Sequence, residues 1–434
     1  MSLRDEVTAL LQELVRVNTV NPPGNEIRAA EILRSYFARN GVECAFYSRD
    51  PDRPNVVARL RGGDGPSLAL LSHTDTVLAD PGEWERDPWS GELVDGEVWG
   101  RGALDMKDQV AASAVALASL AREGFVPSGD LVFLSVADEE VGGAGADEGW
   151  GLRWLVGAHP DAVRCDYAIN EGGGERLVIG GSPVYLCATA EKMSAPFKLR
   201  VRGRSGHGSM PGIADNALVK AARYVDVLGS YRPPLQMIPE ASAFLEAVLG
   251  EAPPVEEALD RARELDPMVH TVVEPLLSLT LSPTVIEASR KHNVIPGLCE
   301  VTVDCRLLPG QTPAEAESLV RSALGGGEYE IEWIDGGTGG TRSPLETPLW
   351  DALAEFTATI EDAARLAPIA CPGFTDSHYL REAFGTVAYG FFPIRTMDSD
   401  LATKLVHSAD ERVAVDDLEL GLKMLRSAAR SLLG

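Results

Sequence analysis

SLALLSHTDTVLADPGEWERDPWSGELVDGEVWGRGALDMK, residues 67–107, is the stretch from which the rest of the chain is read. It opens as an apolar strand, Leu68, Ala69, Leu70 and Leu71, and ends that strand in a His-x-Asp unit, His73 and Asp75. After a region marked by Trp and Gly comes Asp105, in GRGALDMKD. Open α/β sheets bind ligands just outside the carboxyl ends of their strands. An imidazole and a carboxylate at such an end therefore read as metal ligands, with Asp105 as a bridge between two ions. One stretch cannot fill two coordination spheres, so the remaining ligands must come from later in the chain.

The chain has 434 residues, which is too long for one ordinary core and implies two domains or one large domain with an insert. Its 45% hydrophobic content is that of a globular protein. With 65 acidic against 39 basic residues the formal charge is −26, which argues against nucleic acid or an anionic membrane as partner. No apolar run of membrane-spanning length occurs, and the amphipathic, acid-containing start MSLRDEVTALLQELVRV does not read as a secretory signal. Six scattered cysteines without a CxxC pair read as free thiols in a reducing compartment, the cytoplasm.

Apolar positions at three- and four-residue spacing predict helices over 3–17 and 26–40. Strands are expected over 55–60 and up to His73, then a small-residue helix over 110–121. A further apolar strand over 130–136 ends in ADEEVGG and presents Glu139 and Glu140. A short one over 167–169 ends in NEGGG with Glu171. This alternation is an α/β pattern. Beyond residue 191 the character changes. A strand over 196–202, a helix over about 215–228, two alternating strands, a helix over 312–324 and a strand over 329–334 follow, with a partly helical insert at about 232–272. The order β-α-β-β-α-β predicts a ferredoxin-like α+β domain over 191–338, inserted into a discontinuous domain of 1–190 and 339–434. The GGTGGT run at 336–341 reads as the hinge between them.

His73, Asp105, Glu140, Glu171 and His407 offer metal-ligand chemistry. Two imidazoles and three carboxylates without a thiolate suit a pair of divalent ions, zinc first, with cobalt or manganese as alternatives. Taken singly, a His-x-Asp unit or a Glu-Glu pair is more often structural or solvated. Their conjunction at strand ends is what carries the reading.

Nine segments in order, HTDTV, GRGALDMKDQ, DEEVGG, NEGGG, SGHGSMP, NVIPG, DCRLLPG, GFTDSHYL and HSADERV, resemble the co-catalytic zinc peptidases of the M20 family, of aminoacylase, desuccinylase and carboxypeptidase type. The resemblance implies a mixed-sheet zinc-peptidase catalytic domain with an inserted lid and dimerisation domain, hence a homodimer. It implies that His73 binds one metal, Asp105 bridges, Glu140 and His407 complete one site and Glu171 the other. Glu139 would be the general base, Asp75 would orient His73, and the Asp105–Met106 peptide would be cis. The reaction implied is cleavage, by metal-bound hydroxide, of an amide beside a free carboxylate, in an N-acyl amino acid or small peptide. His207, in a Gly-flanked loop, would donate to the developing oxyanion. Asn293 and Arg342 are the candidates to hold the substrate carboxylate, and Gly373 and Thr375 should border the pocket. Arg306 reads equally as a structural ion pair, and His378 as a non-ligand. The alternative is a non-catalytic binding or assembly descendant of the same fold, which would be expected to have lost Glu139 or a ligand. Neither is lost.

Overall fold

The computed structural model describes residues 1–141, 149–334 and 336–434. Gly142 and Gly143 of the DEEVGG segment lie outside the described residues. The chain divides into two compact units, one of Met1–Thr189, Ser343–Pro368 and Thr375–Gly434, the other of Ala190–Arg342 and Ile369–Phe374. The short segment Ile369–Phe374 was expected with the first unit. It groups with the second because its neighbours there are contacts that only the folded chain creates, such as the Lys192 amide on the Cys371 carbonyl.

The first unit is organised around Leu68–His73, whose six residues are all buried. It pairs in parallel with Leu131–Val136 on one side and Tyr167–Asn170 on the other. Its side chains divide by pleat. Leu68 and Leu70 join a core with the helices Leu3–Val15, Lys107–Arg122 and Val415–Leu433, while Ala69 and Leu71 join a second core with Leu152, Leu155 and Leu380. A strand covered on both faces has no use for alternating polar residues, which is why LALL is uninterrupted. Val387–Gly390 extends the parallel set, and Asn55–Leu60 and Cys44–Tyr47 add antiparallel strands at the other end, so the sheet is mixed.

The helix expected from residue 110 begins at Lys107. Lys107, Asp108 and Gln109 interrupt the apolar pattern yet are buried, because Lys107 Nζ donates to the Val17 carbonyl at 2.9 Å and Gln109 Nε2 to that of Leu71 at 3.1 Å. The polar groups are satisfied by backbone that sequence spacing cannot reveal. The Asp105–Met106 peptide is cis.

The second unit has four principal antiparallel strands in the spatial order Tyr329–Trp333, Phe197–Arg202, Leu298–Leu307, Thr280–Glu287. With the helices Ala217–Ser230 and Pro313–Leu324 this is the expected β-α-β-β-α-β arrangement. Phe197, Leu199, Val201, Val301 and Val303 alternate inward against Ala217, Ala221, Ala316 and Val320. The insert forms three helices, Pro239–Leu249, Val255–Leu265 and Pro267–Val273.

Candidate metal centre

Three adjacent parallel strands end at the same edge of the first unit's sheet. His73 is the last residue of its strand and lies in register with Val136, three positions before Glu139. Glu171 directly follows Tyr167–Asn170. Asp105 sits just before the helix Lys107–Arg122, and His407 follows the helix Ser399–Leu405 in a left-handed conformation, φ 61°.

These residues converge. Asp105 Oδ1 lies 3.2 Å from His73 Nε2, and Asp105 Oδ2 lies 3.1 Å from His407 Nε2. Each imidazole then has a carboxylate of its own, Glu140 Oε2 at 3.1 Å from His407 and Glu171 Oε2 at 3.8 Å from His73. The ligand atoms of His73, Asp105 and Glu140 all fall within 4.8 Å of one another, and so do those of His73, Glu139 and Glu171. All five ligand candidates are thus brought together, with Asp105 shared between two halves.

The electrostatics are those of too many acids in one place. Burial, then the Glu171 charge, holds the Glu139 carboxyl well above the usual range. Burial raises Glu140 to about 7, against the lowering effect of His407. Burial alone would lower His73, but the charge of Glu171 and the bonds to Asp105 and Asp75 push it well above normal. Hydrogen bonds to Asp105 and Glu140 raise His407 to about 10. Burial raises Asp105, but the two imidazoles outweigh it and hold its carboxyl below the carboxylate range. Glu140 Oε1 is buried without a partner, and among the described residues no lysine or arginine pairs with these carboxylates. Protons on the rings stand where cations would. The 3.1–3.2 Å separations also match the edge of about 3.3 Å expected between ligands of a tetrahedral ion with bonds of about 2.0 Å. The residues fit a divalent metal pair.

The buried support around them was mostly not visible in sequence. His73 Nδ1 faces the backbone carbonyl of Asp75 at 3.0 Å, which puts its proton there and leaves Nε2 free as a ligand. The carboxylate of Asp75, expected to orient His73, is 3.5 Å away from that nitrogen. It also takes three further donors. Oδ1 accepts from the Glu139 amide at 3.2 Å, and Oδ2 from the Glu140 amide at 3.1 Å and Asn21 Nδ2 at 2.9 Å. Asp75 therefore holds the Glu-Glu turn as well as facing His73, because its side chain lies along the sheet edge toward the neighbouring strand's end. Asn21 spans from Asp75 to Asp138 at 3.0 Å, and Arg53 bonds both Asp138 and Glu26. Glu411 is fully buried and accepts from the amides of Leu104 and Asp105 at 2.8 and 3.0 Å, with Arg101 as counter-ion. Its position inside HSADERV, four residues after His407, was the available signal.

Among the other candidates, His207 is exposed in the second unit and pairs in a short ladder with Val294. Its Nδ1 accepts from the Ser209 amide at 3.3 Å and lies 2.8 Å from Ser209 Oγ, so Nε2 carries the ring proton. Asn293 is next to it, its carbonyl accepting from the Gly208 amide at 2.8 Å. Arg342 Nη2 donates to the Pro309 carbonyl at 2.8 Å, and its Nε lies 3.6 Å from buried Glu240. Gly373 belongs to the second unit, while Thr375 is buried in the first and receives the Ser377 amide at 3.2 Å. Arg306 forks onto Asp304 as a structural pair. His378 is buried, with Nδ1 on the Thr375 carbonyl at 2.6 Å, and burial lowers it to about 4. It takes no part in either metal-ligand group among the described residues.

A family model of peptidase family M20/M25/M40 matches residues 69–431. The chain belongs to that family. It is a metal-dependent hydrolase of the M20 amidohydrolase and peptidase type. Human N-fatty-acyl-amino acid synthase/hydrolase PM20D1 is 27% identical over 379 residues, covering 84% of this chain and 74% of that protein. A succinyl-diaminopimelate desuccinylase of Cereibacter sphaeroides is 27% identical over 423 residues, covering 95% and 94%. The fold is also that of an M20 family metallo-carboxypeptidase from Sulfolobus solfataricus, with TM-score 0.72, 18% identity and 99% of both chains covered. A dinuclear metal-binding M20 peptidase from Bacillus subtilis superposes with TM-score 0.60 at 14% identity, covering 99% and 98%.

Proposed function

We propose that this M20 protein hydrolyses an amide bond next to a free carboxylate, in an N-acyl amino acid or a small peptide, using two divalent metal ions. The observation that carries the reading is the sharing of Asp105, one oxygen toward each imidazole, each imidazole having its own second carboxylate. His73, Asp105 and Glu171 would hold one ion, and His407, Asp105 and Glu140 the other, with zinc favoured over cobalt or manganese by the nitrogen and oxygen donor set. When bound, the pair supplies Lewis acidity toward water and toward the scissile carbonyl.

The chain's own residues do the proton work. Glu139 takes a proton from the attacking water and returns it to the departing nitrogen, so that amide and water become carboxylate and amine. A buried carboxyl whose pKa is raised suits that exchange. His207 Nε2–H donates to the carbonyl oxygen as it gains charge. Asn293 and Arg342 hold the substrate carboxylate, Arg342 with the part of its guanidinium not engaged by Pro309 and Glu240, and Gly373 and Thr375 line the pocket. The protein acts as a homodimer through the second unit, whose edge strand Thr280–Glu287 exposes Val285 and Ile286 at about half of their surface. Six cysteines outside any disulfide suit the cytoplasm, and no helix among the described residues is long and apolar enough to cross a membrane.

The test is elemental analysis of protein purified without chelator, with a panel of N-acetyl, N-succinyl and N-carbamoyl amino acids and dipeptides assayed with Zn²⁺, Co²⁺ or Mn²⁺. Two ions per chain and turnover on part of the panel are expected. No bound metal under metal-replete conditions removes the dinuclear reading.

A further inference from the structure

The segment NPPGNE, residues 21–26, and the residues around Asn55 meet at the chain that leads from the strand Leu131–Val136 into Glu139. The residue they hold is Asp138. It is buried and sits in the left-handed region, φ 65°, which a residue with a side chain adopts seldom. Its Oδ1 accepts from Asn21 Nδ2 at 3.0 Å and lies 3.3 Å from Arg53 Nη1, and its Oδ2 accepts from the Trp150 amide at 3.1 Å. The backbone on either side is pinned as well. Asn55 Oδ1 accepts from the Ala137 amide at 3.0 Å, and Asn55 Nδ2 donates to the Trp150 carbonyl at 2.8 Å. A Cβ at Gly151 would lie 2.0 Å from the Ala137 carbonyl oxygen, so the two chain segments are in backbone contact.

The cation in this set is itself fixed. Arg53 forks onto Glu26, with Nη2 2.6 Å from Oε1 and Nε 3.1 Å from Oε2, and its guanidinium lies 4.7 Å over the Trp150 ring. Room for the fork depends on Gly24, where a Cβ would meet Arg53 Nε at 2.2 Å. Glu26 and Arg53 are buried along with Asp138. A buried row of Glu, Arg and Asp gains little stability over apolar packing, because each charge gives up its water. What it supplies is a fixed direction.

Glu139 has the opposite character. Among the described residues no side chain donates to its carboxylate, and its amide rests on Asp75 Oδ1 at 3.2 Å. A base held through its main chain is placed by whatever fixes the peptides on either side of it. Asn21 Nδ2 joins the two fixing groups, 2.9 Å from Asp75 Oδ2 and 3.0 Å from Asp138 Oδ1.

We infer that Asp138, with Arg53 behind it, is a positioning residue for the hydrolysis, and that its anchored left-handed turn aims the Glu139 carboxylate. The inference rests on Glu139 as the base in the function proposed above. Asp138 acts through Glu139 and belongs to neither metal-ligand group. An unusual backbone conformation persists where its surroundings over-determine it, and here those surroundings are Asn21, Arg53 and the Trp150 amide.

The experiment measures kcat, KM and metal content of the metal-loaded full chain, on the best substrate of the panel above, for Asp138→Gly, Asp138→Asn and Arg53→Lys. Glycine adopts the left-handed turn freely but removes the anchor, so a turn that serves the fold alone predicts an unchanged kcat. Positioning predicts a fall in kcat of about 10²-fold in Asp138→Gly, the scale of a misplacement of about 1 Å, with KM and metal content unchanged. Asp138→Asn keeps an oxygen toward Asn21 and Arg53 and should recover part of that loss. Arg53→Lys keeps the charge without the fork, and its kcat should lie between those of the unmodified protein and Asp138→Gly. If Asp138→Gly does not fold, the other two variants read the same split between kcat and KM. Unchanged kcat in the folded, metal-loaded variants overturns the inference and leaves the hydrolase standing. Loss of metal in proportion to kcat also overturns it, since Asp138 would then support Glu140 as a ligand. Failure of the unmodified metal-loaded protein to hydrolyse any amide overturns the proposed function, and the inference with it.

Discussion

Replacing Asp75 by Asn separates two accounts of that residue. The carboxylate is fully buried and accepts three hydrogen bonds, from the amides of Glu139 and Glu140 and from Asn21 Nδ2. An Asn of the same shape has one acceptor oxygen. With its NH₂ in the place of Oδ2 it would oppose two donors, so the cheaper orientation puts NH₂ in the place of Oδ1, facing the Glu139 amide. That leaves one buried N–H unsatisfied, about 1–3 kcal/mol, and removes the charge from two remaining bonds, each then weaker by about 1 kcal/mol. A loss of about 3–5 kcal/mol is expected, read as a lower midpoint at unchanged slope in urea denaturation of metal-free protein. Turnover should fall by about 10²–10³, because Glu139 loses the anchor of its own amide. His73 keeps its bond to the Asp75 carbonyl, so an ion at His73, Asp105 and Glu171 should still bind. Loss of metal from that half with little loss of stability would refute this account and return Asp75 to the role of orienting His73.

Three further outcomes test the site and its surroundings. Glu139→Gln should retain metal by elemental analysis while losing about 10²–10⁴ in kcat; loss of metal instead would make Glu139 a ligand, which its grouping with His73 and Glu171 permits. His207→Ala should lower kcat by about 10²–10³, the scale of one oxyanion donor, and an unchanged rate removes it from the reaction. His378 provides a pH signature independent of metal. Burial lowers it from 6.5 to about 4, so the unfolded chain binds a proton before the folded one does. Its contribution is intact above about pH 6.5 and is lost as pH falls toward 4, worth roughly 3 kcal/mol. The stability of a His378→Phe variant should decline less than that of the unmodified protein over that window, and parallel decline would show that His378 titrates normally.

The candidate metal ligands were legible because each belongs to a short segment with local meaning. A buried parallel strand writes itself as an unbroken apolar run, and the polar residue that ends it is conspicuous, as at His73, Glu140 and Glu171. The ferredoxin-like unit was legible for a similar reason, since alternation in PFKLRVR and LCEVTVDCRL reports one covered face. The supports were not. Asn21 and Arg53 lie in turns whose polar residues look solvated until the folded chain buries them. Sequence shows Asp75 two positions from His73 and conceals the Glu139 and Glu140 amides that it also holds across the sheet edge. Glu411 carries only its place in HSADERV, which does not reveal the Leu104 and Asp105 amides it holds.

From sequence alone come the identity of the donor atoms, the family and the order of strands and helices, since these depend on residue type and local periodicity. Tertiary structure decides which donor faces which. That Asp105 turns one oxygen to His73 and the other to His407 depends on Glu411 holding the Asp105 amide and on strands far apart in the chain ending at one edge. Hydrogen bonds are directional and short, so their partners are set by the packed fold and not by spacing along the chain.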